Sequence, residues 1–222
     1  MKKREGEDRP QQVPSGEVKN ALAYPNYRRL WINNLAYMFV SNAQRFAIGW
    51  LVLDGLGGNE TRQGMAVFML GFPVALIVMQ AGALADRVDR RLLLIRSQTA
   101  LLVVVMATLV LLGLDRLTYS WVLLLCVFSG VAQAFGQPVR QALIPLLVPE
   151  RLLMNAIALN ALAMTSSMIL SAPLVKIAGD LFDFEGVFGV QVVMLVAGLF
   201  VLRRIEPPPV AETPKRRLIQ EA

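Results

Sequence analysis

Gly82-Ala83-Leu84-Ala85-Asp86-Arg87-Val88-Asp89-Arg90-Arg91-Leu92-Leu93-Leu94 is the stretch whose reading decides the fold. It sets a knot of charge between two long apolar runs, one closing near Ala85 and the next opening near Leu92. So short a connection can only reverse the chain, which makes it a tight hairpin between two membrane-spanning helices. Arg87, Arg90, Arg91 and Arg96 put that hairpin on the cytoplasmic side, because positive charge near short loops is retained there.

The rest of the chain extends this pattern. Of 222 residues, 55% are hydrophobic and 17% charged, and the apolar residues gather in long runs. Runs of about 20 residues match a hydrocarbon core of ~30 Å at 1.5 Å per residue. Candidate spans fall at 30–53, 64–85, 92–114, 119–140, 152–178 and 186–202. The expected fold is therefore an all-α membrane protein, a six-transmembrane-helix bundle with cytoplasmic N and C termini and the lipid bilayer as its solvent. Residues 1–29, charged and without an apolar signal core, read as a disordered cytoplasmic tail, 30–204 as the bundle, and 205–222 as a truncated cytoplasmic linker. Pro138, Pro145 and Pro149 are expected to break or bend helix between the fourth and fifth spans.

The net charge of +6 invites a nucleic-acid reading, but its distribution opposes one. Eighteen of the 22 Lys and Arg residues lie on segments expected inside, against Arg62 and Arg116 outside. The excess is a topology signal, and no nucleic-acid partner is expected. The chain has no His, which removes His-ligated metals and Ser-His hydrolytic dyads. Its one cysteine, Cys126, lies inside the fourth span and permits no internal disulfide. No cofactor, metal or catalytic residue is expected.

The spans differ in polarity. Span 1 carries Asn34, Ser41, Asn42 and Arg45 at i, i+7, i+8 and i+11. Span 4 carries Ser129, Gln133, Gln137 and Arg140 at i, i+4, i+8 and i+11, and span 5 Asn160, Ser167 and Ser171. Span 2 has Gln80, while span 3 from Ala100 has only Thr108 and span 6 only Gln191, so these last two are expected to tolerate lipid all round. Polar stripes should face inward, since polar groups are costly in hydrocarbon. For single Ser, Thr, Asn and Gln residues the plainer reading is an interhelical hydrogen bond, worth about 0.6 kcal/mol on average. The other is a cavity face made by Asn34, Ser41, Arg45, Gln133, Gln137 and Asn160. Arg45, about two-thirds of the way across its span, leaves two readings open. It is satisfied by carbonyls and Gln44, or it is a cavity cation that meets an anionic group.

Gly82-x-Leu84-Ala85-Asp86-Arg87-x-x-Arg90-Arg91-x-x-Leu94 resembles motif A of the major facilitator superfamily, in the loop where that family carries it. Tyr24 to Trp31, Pro138-Val139-Arg140-Gln141-Ala142-Leu143-Ile144-Pro145 and Asn155-Ala156-Ile157-Ala158-Leu159-Asn160 resemble bacterial drug and siderophore exporters related to the enterobactin exporter. The resemblance implies a secondary transporter of the cell inner membrane that exports a small amphipathic substrate by alternating access. It implies a cytoplasmic gating cluster of Gly82, Asp86, Arg87, Arg90 and Arg91, joined by Arg140. Proton coupling is implied too, although no membrane-embedded carboxylate is clearly placed to carry a proton.

Three departures qualify it. Asp89 stands where motif A has glycine. Ser171-Ala172-Pro173 keeps the proline of the family's helix-5 antiporter motif without its glycines. The family has about twelve spans in two halves, and this chain has one, so the expected partner is a second six-helix half, as a separate chain or a homodimer. Two other readings are weaker. One is a non-transporting membrane scaffold. The other is an intramembrane lipid-head-group transferase, for which Asp86-x-x-Asp89 would need further aspartates and a glycine where Arg90 stands.

Overall fold

A computed structural model describes residues 20–85 and 89–205, with side chains for all of these except 78–85. Among the described residues every regular element is helical: α1 (Pro25–Trp50), α2 (Glu60–Ala85), α3 (Arg90–Gly113), α4 (Tyr119–Leu147) and α5 (Leu153–Arg203). α5 is two rods in one, because Asp183 (φ 57°, ψ −166°) breaks it into limbs 153–182 and 184–203. That conformation is nearly restricted to glycine and costs of order 1–3 kcal/mol in another residue. Three helical stretches, Arg90–Gly113, Tyr119–Leu147 and Glu150–Arg203, are long and apolar enough to cross a membrane. α1 has the length at 26 residues but carries Asn33, Asn34, Asn42, Gln44 and Arg45.

Helix ends follow local chemistry, with two departures from expectation. Tyr24 is extended ahead of Pro25, the favoured proline at a helix start. The turn Ala21–Ala23 and the start of α1 thus lie inside the segment expected as a disordered tail over 1–29. Ala21 and Tyr27 are buried, the Ala21 amide donates to Asn155 Oδ1 (2.8 Å), and the Tyr27 hydroxyl donates to the Ala156 carbonyl (2.8 Å). Trp31 Nε1 adds a bond to the Leu159 carbonyl (2.9 Å). These apolar and aromatic residues fasten the start of α1 to α5, which charge-based reasoning about the tail overlooks. The second departure is α4, which runs through Pro138 and Pro145 to Leu147. Its neighbours hold the helix together across both prolines, as neighbours do for membrane helices. The chain leaves helix only at Val148, extended ahead of Pro149.

α1 packs on α5, α2 on α4, and α3 on both α4 and the second limb of α5. The interior has two apolar clusters. One contains Tyr37, Val40, Leu70, Leu101, Cys126, Phe188 and Leu195, and the other Leu30, Leu94, Val139, Leu143, Ala156 and Leu202. The outer surface is also apolar: Phe68, Val103, Leu162, Ile169 and Phe200 are all more than half exposed. An apolar exterior of this extent suits lipid as solvent.

α2 and α4 approach closely, and a Cβ at Gly130 would run into the Leu70 carbonyl oxygen and the Pro73 ring. Gly64, by contrast, has open space around it. Gly130→Leu should therefore destabilise the bundle by about 1–3 kcal/mol through overpacking. Thermal unfolding in detergent should show a lowered midpoint for Gly130→Leu and little change for Gly64→Leu.

Candidate functional site

The polar stripes meet inside the bundle. Ser129, Gln133 and Arg140 share one buried face of α4, and α1 answers with Asn33, Tyr37 and Gln44 at i, i+4 and i+11. Gln44 Nε2 donates to Ser129 Oγ (2.9 Å), and Gln133 Nε2 donates to Gln44 Oε1 (3.2 Å). Below this pair lies Arg140, only 1% exposed. Its Nη1 donates to Asn33 Oδ1 (2.5 Å) and Asn34 Oδ1 (2.9 Å), and its Nη2 to Gln98 Oε1 (2.9 Å). The guanidinium carbon lies 3.6 Å from the centroid of the Tyr37 ring, a close cation–π contact. Among the described residues no carboxylate pairs with it.

The node extends to α3 and to both limbs of α5. Asn33 Nδ2 donates to Gln98 Oε1 (3.0 Å) and to the Gly198 carbonyl (2.8 Å), and Gln98 Nε2 to the Leu195 carbonyl (3.2 Å). Asn34 Nδ2 reaches Asn160 Oδ1 (3.1 Å) on the first limb of α5. Two glycines make room: a Cβ at Gly198 would lie 2.9 Å from the amide nitrogens of Asn33 and Gln98, and one at Gly136 would lie 3.1 Å from the Tyr37 hydroxyl.

Arg140 is thus held among these amides; of the loop residues expected beside it, Asp86 and Arg87 lie outside the described residues, as do the surroundings of Gly82. At the start of α3 Arg90 Nη1 donates to the Ala142 carbonyl (3.1 Å), and Arg91 Nη2 to the Arg203 carbonyl (2.7 Å) at the end of α5. A cation there complements the helix dipole. Asp89 caps α3, its Oδ1 accepting from the amides of Arg91 (2.8 Å) and Leu92 (3.1 Å). The departure from the motif glycine therefore has a structural use.

The remaining candidates separate. Gln137 is half-buried, and the Ser41 hydroxyl is buried without a hydrogen-bond partner. Ser167 and Ser171 donate to carbonyls of their own helix, those of Ala163 and Met168. Gln44, one of the two expected satisfiers of Arg45, is committed to Ser129 and Gln133. Arg45 itself is exposed and lines a groove of about 560 Å³ between α1, α2 and the first limb of α5. Asn42, Gln63, Trp50 and Lys176 face the same groove. A cation at this depth costs roughly 2.5–3.5 kcal/mol on insertion scales unless solvated or paired. A second groove of about 470 Å³, between α1 and both limbs of α5, is almost wholly apolar.

Spans 3 and 6 do not tolerate lipid all round: Ser97, Gln98 and Thr108 on α3, and Gln191 on the second limb of α5, are buried. Beginning the polarity reading of span 3 at Ala100 cut off Ser97 and Gln98. On α1 the inward stripe is Asn33, Tyr37 and Gln44, offset by one residue from the expected stripe through Asn34 and Arg45.

Residues 30–221 match the family profile described as Major Facilitator Superfamily. The chain belongs to the major facilitator superfamily. Membership implies a transporter and a membrane protein, in keeping with the helical fold and its apolar exterior. No curated protein sequence matches the chain significantly. Within this facilitator bundle Arg140 is the central tie, which sets an expectation for its replacement. Arg140→Met should cost about 3 kcal/mol, because three buried amide oxygens lose charge-assisted bonds. Arg140→Lys should recover only part of the loss, since an ammonium cannot reproduce the planar fork. Thermal denaturation of the three proteins in detergent checks the order.

Proposed function

We propose that the chain is the N-terminal six-helix half of a secondary exporter, of the branch that resembles the enterobactin exporter, and that it moves a small amphipathic compound out across the cell inner membrane. The five helices, with α5 divided at Asp183, make six rods, which supports a reading of six spans with both termini inside. Transport then proceeds by rocking against a second six-helix bundle, on a separate chain or on a second copy of this one. Asp86 with Arg90, supported by Arg87 and Arg91, acts as the cytoplasmic latch that exchanges partners as the bundles move.

One observation carries this reading. The groove between α1, α2 and the first limb of α5 stays open, while the Arg140 node, which lines no part of it, is sealed inside. A rigid body with a closed polar interior and an open amphipathic face is what one rocking partner needs.

Two experiments test the proposal. With Cys126 replaced by Ala, a cysteine introduced at Glu60 should react with an impermeant maleimide from outside intact cells. Labelling only after the membrane is opened would overturn the topology. Efflux of amphipathic dyes should require this chain together with a second half, and should fall when Asp86→Asn is introduced. Loss of efflux dependence on the second half would point to self-assembly, and absence of efflux with every partner would end the transport reading.

A further inference from the structure

The groove between α1, α2 and α5 has a chemical bias that narrows what it can hold. Arg45 enters from α1 and Lys176 from α5. Asn42 and Gln63 add amide donors, and no carboxylate is among the described residues that line the groove. Arg45 makes no hydrogen bond or ion pair with any other described residue. Lys176 pairs with Asp180 one turn along its own helix, with both side chains more than half exposed. Such an exposed pair is weak and easily rearranged. The other walls are apolar or aromatic: Phe46, Trp50, Val67, Met168 and Val175. The Trp50 indole N–H is taken by Asp54, and Lys176 Nζ lies 5.4 Å from the ring centroid, so the indole face is on the groove's cationic side.

We infer that this groove is a binding site for an amphipathic anion, its charged head between Arg45 and Lys176 and its apolar body along Phe46, Trp50 and Met168. A cationic ligand would meet two positive charges and, among the described lining residues, no acid, while the neighbouring Asp180 and Asp54 are already bonded to Lys176 and Trp50. A neutral one would displace water from an unpaired guanidinium without replacing it. An oxyanion head answers both, because a guanidinium offers a planar fork of donors that carboxylate, sulfonate and phosphate oxygens all match. The contrast with Arg140 sharpens the assignment. Both arginines lack a described acid partner, but the Nη groups of Arg140 are occupied by three amide oxygens and sealed from solvent, whereas Arg45 is open.

The inference deepens the transport reading by naming its substrate class, and rests on that reading for its biological meaning. Binding can be measured apart from transport. In the full chain carrying Trp31→Phe and Trp121→Phe, Trp50 is the only remaining tryptophan. This protein, in nanodiscs of phosphatidylcholine, is titrated with naphthalene-2-carboxylate, naphthalene-2-methanol and naphthalene-2-methylammonium while Trp50 fluorescence is followed. The carboxylate should bind at least about tenfold more tightly than the alcohol, and the ammonium most weakly. Arg45→Gln should abolish the preference, Arg45→Lys should keep part of it, and Ala172→Leu should weaken binding of all three probes by filling the groove. Equal affinity for acid and alcohol, or an unchanged preference in Arg45→Gln with native thermal stability, overturns the inference.

Replacing part of the lipid with phosphatidylglycerol identifies the source of the anion. Competition with the naphthoate supports the site with a lipid head group as occupant, and its absence supports a free solute. Selective binding without efflux in the two-half assay would remove the transport reading and leave the anion site standing. Efflux that ignores charge would do the reverse.

Discussion

A guanidinium sealed among neutral acceptors is the constraint on which the bundle depends. Arg140 is buried, and the interior offers it no described acid, so its Nη groups are met by oriented amide oxygens and its plane by an aromatic face. Those acceptors come from α1 and α3, and their own donors reach both limbs of α5. One side chain on α4 thereby fixes the relative placement of three other helices. Its cost in low dielectric is offset only while every acceptor stays in place, which makes the arrangement close to all-or-none.

This polar layer also explains why the interior is split into two apolar clusters. On α1, Asn33 and Asn34 lie between Leu30 and Tyr37; on α3, Gln98 lies between Leu94 and Leu101; on α5, Gly198 lies between Leu195 and Leu202. Leucine-rich helices slide past one another with little penalty in lipid, since hydrocarbon is as good a neighbour as another leucine. Hydrogen bonds at one level set the register of the rods, and the apolar clusters on either side fill the space that the register defines.

Much of this was legible in the sequence, and the limits have physical causes. The charged hairpin at 82–94 and the apolar runs around it mark the helices, because lipid demands length and backbone self-sufficiency. The α4 stripe through Ser129, Gln133 and Arg140 was readable from spacing alone. Which face of α1 turned inward was not: Asn33 and Asn34 are adjacent, both polar and both used, so periodicity cannot choose between them. Gln98 was lost to a window placed by hydropathy, which treats the first turn of a helix as interface. Pro138 and Pro145 misled because a proline's local cost is read from one helix, while its tolerance depends on the others. The cap made by Asp89 was hidden behind its position in a charge-rich motif.

The break at Asp183 has a consequence for motion. One residue, with no spacer on either side, joins two long rods. Their adjoining ends are consequently hinged like the arms of a drawing compass, with no slack to pay out. Any tilt of the first arm must drag the second with it, and because the second arm is tied through Gly198 and Leu195 to α1 and α3, the displacement spreads to those helices as well. A force applied at that vertex would move the linked helices together.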